Sequence, residues 1–73
     1  MSSHAIVKVV LRSSTVIASP ILSREQADQD LERISTARMQ GDEIVLPWIS
    51  VLGGDVEAAH LEDRAAPARE RLG

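Results

Sequence analysis

Asp55, Glu57, His60, Glu62 and Asp63 form the densest set of side chains in this sequence that could ligate a metal or move a proton. A structural zinc needs about four convergent donors and calcium about six or more. The stretch reads as a strand, and successive side chains on a strand point to opposite faces. His60 and Glu62 then share one face, while Asp55, Glu57 and Asp63 share the other. Alternation divides the ligands, so solvated strand-end charges are expected and no metal. His4 comes near His60 if the outer strands pair, but two lone histidines are more often solvated than ligating.

The other polar groups offer less chemistry. Ser13, Ser14, Ser19, Ser23, Ser35 and Ser50 lack an identifiable base and orienting carboxylate, so no catalytic triad is legible. Gly53, Gly54 and Asp55 lack the further glycines, the lysine and the following helix of a phosphate loop or dinucleotide fingerprint, and a turn explains them. No enzyme and no cofactor are expected. Lys8 and Arg12 share one face of the first hairpin, and doubling that pair in a dimer would offer a small basic surface of the kind β-ribbon readers use. This nucleic-acid reading is the alternative. Against it stand a net charge of −3 and the absence of Phe and Tyr for base stacking.

The elements that position these groups belong to a small domain. A chain of 73 residues with no cysteine has a thin core and no disulfide to reinforce it, which leaves oligomerisation as the expected aid. At 44% hydrophobic and 26% charged, the composition is that of a globular protein. The one aromatic residue is Trp48, so Val, Ile, Leu and Ala must build the interior. Ala5 to Leu11 is interrupted by Lys8 and too short for a membrane span. No charged start, apolar centre and cleavage site follow one another, so no signal peptide is read and a cytoplasmic location is expected.

His4 to Arg12 and Thr15 to Ser19 are rich in β-branched residues and read as a hairpin. A two-residue Ser13-Ser14 loop sets Leu11 against Val16, Val9 against Ala18 and Val10 against Ile17. Ser23 and Gln26 have capping-box spacing, Ala27, Leu31, Ile34 and Ala37 form a helical stripe, and Arg38 with Gly41 marks the stop. From Glu43 the chain reads as strand through Leu52. Gly53-Gly54 is then expected as the turn of a second hairpin setting Val51 against Val56, Ile49 against Ala58, Trp48 against Ala59 and Leu46 against Leu61. Pro47 cannot donate a ladder hydrogen bond, so that strand should bend or lie at an edge.

The expected fold is α+β, ββαββ in order, with an antiparallel sheet of about four strands and one helix packed on one face. Residues 1–62 are expected as the domain and 63–73 as a frayed or partly helical tail. Ile44 to Leu52 is apolar in both strand phases, and one helix covers one sheet face. Ile6, Val10, Ile17, Leu46, Trp48 and Leu61 are therefore expected on the helix-free face as an interface with a second copy, with Trp48 as anchor. The functional expectation is a non-enzymatic binding protein, homodimeric through that face, with another protein or an extended peptide as further possible partners and no membrane.

Overall fold

The first hairpin is closed by three residues, and this sets which side chains reach the core. Leu11 N–H donates to Thr15 O at 2.8 Å and Ser14 N–H to Leu11 O at 2.8 Å, with Ser14 at φ 76°. A turn followed by one left-handed residue is the standard three-residue hairpin loop. The ladder consequently pairs Lys8 with Ala18, Val9 with Ile17 and Val10 with Val16, one residue away from the register of a two-residue loop. The side-chain period is two, so this slip sends Ile17 to the core side and Val16 and Ala18 to the opposite side.

A computed structural model of the chain describes residues 3–66. The elements are β1 (His4–Leu11), β2 (Val16–Ala18), β3 (Leu22–Ser23), α1 (Arg24–Gln40), β4 (Glu43–Leu46), β5 (Ile49–Leu52), a single 3-10 turn (Gly53–Asp55) and β6 (Val56–Arg64). β1 is the centre of a four-stranded antiparallel sheet, with β2 and β3 along one edge and β6 along the other. The α+β class with one helix on an antiparallel sheet is as expected, and the order is longer than ββαββ by the short β3 and by one strand after the helix, because the expected third strand folds back on itself as the β4–β5 hairpin.

That hairpin corrects the expected second one. Glu43 pairs with Leu52, Ile44 with Val51, Val45 with Ser50 and Leu46 with Ile49, so Pro47 and Trp48 are the turn. Proline's fixed φ suits the first central position of a turn. Gly53 and Gly54 do not form a hairpin loop and neither has a positive φ. Gly53 is required by space instead: a Cβ there would lie 2.2 Å from Ala37 O and 2.8 Å from Asp42 O. Gly53 N–H donates to Asp42 O at 2.7 Å, so this backbone sits directly against the end of the helix. The chain then turns into β6, which pairs with β1 rather than β5, Val7 opposite Leu61 and Lys8 opposite His60. β6 runs through Asp63 and Arg64, the first two residues of the expected tail; residues 67–73 lie outside the described residues.

The helix follows its sequence signals. Ser23 Oγ accepts from Gln26 N–H at 3.1 Å, and Gly41 closes the other end in the left-handed conformation at φ 74°. Its inner face buries Ala27, Ile34 and Ala37 against Ala5, Val7 and Val9 of β1, Ile44 and Ile49 of the hairpin and Val56 of β6. Ile34 is fully buried, and truncating such a residue to alanine costs about 2–5 kcal/mol.

Candidate contact surface

The helix occupies one face of the four-stranded sheet, so the other face carries the alternate residues of each strand. On β1 these are His4, Ile6, Lys8 and Val10; register places Val16 and Ala18 of β2 beside them on one side and Ala58, His60, Glu62 and Arg64 of β6 on the other. The surface has two halves. Near the first turn it is apolar, with Val10 half-buried, Ala18 and Ala58 exposed and Val16 exposed to 55%. Farther along it is ionic.

Glu62 is the centre of the ionic half. Lys8 Nζ lies 3.1 Å and His60 Nε2 3.3 Å from its Oε2, and Arg64 Nη2 donates to its Oε1 at 3.0 Å. These partners come from two strands because β1 and β6 set Lys8 opposite His60 and Ile6 opposite Glu62. The hydrogen bond from Lys8, then those with His60 and Arg64, favour the carboxylate and hold the Glu62 pKa at about 2 against an ordinary 4.5. One acid thus ties together basic groups from both strands of the face.

The six residues expected to share an interface are divided by the observed registers. Ile6 and Val10 lie on the helix-free face, Ile6 exposed to only 7% and Val10 half-buried. Ile17, Leu46, Trp48 and Leu61 pack against the core on the helix side. Val16 and Ala18 take the outward positions beside Val10 that the slipped register gives them. Lys8 and Arg12, the alternative basic pair, are both engaged: Lys8 with Glu62, and Arg12 through Nε–H donation to Gly54 O at 2.8 Å. Leu11, Arg12, Ser13 and Asp55 line an open concavity of about 430 Å³ beside the first turn.

Trp48 lies against its own helix. Its Nε1–H donates to Asp30 Oδ2 at 3.0 Å, while Gln26 Nε2 donates to Asp30 Oδ1 at 2.9 Å. Asp30 is exposed to 5% on the inner face of α1. Sequence reading passed over it because a carboxylate within an apolar stripe looks like an outward residue. The available signal was its position, three residues after Ala27 and four before Ile34, on the buried stripe itself.

His60 and Glu62 do share a face, as alternation requires, but no group of three or more His, Asp or Glu able to hold a metal occurs among the described residues. No helix among them is long and apolar enough to cross a membrane. No family model, curated protein or solved structure matches the chain.

Proposed function

We propose that this chain is a small cytoplasmic protein that works by binding rather than catalysis, and that it self-associates through the helix-free face of its four-stranded sheet. The observation that supports this reading is the exposed apolar end of that face, Val16 at 55% beside Val10, Ala18 and Ala58. Helix α1 lies on the other side and does not cover this end. Apolar surface rimmed by charged groups is characteristic of contact sites, and a twofold pairing needs only one self-complementary patch. The ion-paired Lys8–Glu62–Arg64 group gives the patch a charged rim.

The test is the solution mass of Val16→Asp. Val16 is too exposed for this change to disturb the core, while a charge in the middle of an apolar contact is strongly unfavourable. Sedimentation equilibrium should give a lower average mass for the variant than for the parent chain at equal concentration. Equal masses, with the parent associated, would remove the face from the contact.

A further inference from the structure

The sheet has one long open edge. β6 spans nine residues and pairs, among the described residues, only with β1. Which of its backbone groups face outward follows from hydrogen bonds on the far side of β1. Ser19 N–H donates to Val7 O at 2.9 Å and Val7 N–H to Ser19 Oγ at 2.8 Å, so the polar groups of Val7 are turned away from β6. Its partner Leu61 is therefore in a non-hydrogen-bonded pair, and the N–H and C=O of Leu61 point to the open edge. The same alternation turns Ala59 and Asp63 outward. Arg64 Nη1 donates to Asp63 O at 2.9 Å, which places that carbonyl within reach of an exposed side chain.

We infer that β6 pairs antiparallel with β6 of a second copy about a twofold axis at Leu61, joining two sheets into one. Edge strands normally carry charges that repel such additions. Here the charges select one register. With Leu61 opposite itself, His60 faces Glu62 of the second copy, and Glu62 faces its His60, on the helix-free side; Ala58 faces Arg64. Centring on Glu62 would set that carboxylate against itself. Centring on His60 would set Glu57 against Asp63, and centring on Ala59 would set Glu57 against Leu61. On the helix side the chosen register puts Leu61 against Leu61, which already packs on the core, so the two interiors become continuous. This contact deepens the reading of self-association and rests on it, but it uses the sheet edge and leaves the outer face open.

Because the chain has no cysteine, introduced thiols report the register directly. Opposed residues in a hydrogen-bonded antiparallel pair have Cα atoms about 5.5 Å apart, within disulfide reach, whereas diagonal neighbours are about 7–8 Å apart and beyond it. Leu61→Cys should cross-link to a covalent dimer with a mild thiol oxidant, and His60→Cys should not. Cross-linking of His60→Cys without Leu61→Cys would overturn the register. Where Leu61→Cys loses its circular dichroism, an equimolar mixture of His60→Cys and Glu62→Cys decides: a disulfide heterodimer is expected, with each variant alone remaining single on a non-reducing gel. No heterodimer would overturn the edge pairing. If the parent chain still sediments as an oligomer that Val16→Asp dissociates, the face contact stands without the edge; a monomeric parent removes both.

Discussion

Replacing Trp48 with Phe keeps an aromatic ring against the core and deletes one donor, leaving Asp30 Oδ2 buried without its partner. An unsatisfied buried acceptor costs about 1–3 kcal/mol. Urea unfolding of Trp48→Phe followed by far-UV circular dichroism should show a loss of that size; an unchanged midpoint would mean that the Asp30 contact adds nothing to stability. Glu62 makes a prediction of a different kind. Its folded pKa of about 2 lies below the ordinary 4.5, so its ion pairs stabilise the fold fully above the unfolded value. That contribution is lost as pH falls from about 4.5 through about 2. Glu62→Gln should lack this share of the acid sensitivity, so thermal midpoints of parent and variant should converge as pH drops through that window. Parallel curves would show that the cluster around Glu62 is electrostatically idle. The sequence indicated that His60 and Glu62 share a face, because alternation alone requires it. It did not indicate Lys8 as their partner, since that depends on β1 lying beside β6 rather than on any local spacing.

Local signals and long-range pairing differ in how far the chain order reveals them. The helix was legible at both ends, Ser23 capping Gln26 and Gly41 taking the left-handed conformation, because caps are decided within four residues. The two hairpins were less so. Ser13-Ser14 admitted two loop lengths, and only the positive φ of Ser14 selects the longer one. The run from Ile44 to Leu52 contained its own turn at Pro47-Trp48, where the missing N–H had marked a bend without revealing a reversal. Gly53 was read as a conformational glycine and is a packing one. The contrast is testable: Gly53→Ala pushes a methyl into Ala37 and Asp42 backbone, whereas a Cβ at Gly54 meets nothing within 4 Å. Overpacking of this kind costs about 1–3 kcal/mol or more. Gly53→Ala should therefore melt well below the parent and Gly54→Ala close to it, and equal melting temperatures would refute the close approach.

At the scale of the molecule, the strand arrangement determines what is left to bind. Placing β1 in the centre gives the sheet two unlike edges, a short broken one at β2 and β3 and a continuous one at β6. Placing α1 on one face leaves Val16 and its neighbours on the other. Apolar patterning foresaw an uncovered face, yet it assigned Ile17, Leu46, Trp48 and Leu61 to it because the registers that seat them inward arise from loop length and from β6 returning to β1. The uncovered surface is consequently smaller than the alternating pattern implied, and its apolar part is concentrated near the first turn. Self-association is the property on which both proposed contacts depend, and it is read most directly by sedimentation equilibrium of the unaltered chain at neutral pH, over a dilution series from about 100 to about 1 μM. Self-association requires an average mass above that of one chain at the upper end, falling on dilution. The mass of a single chain at every concentration would contradict it.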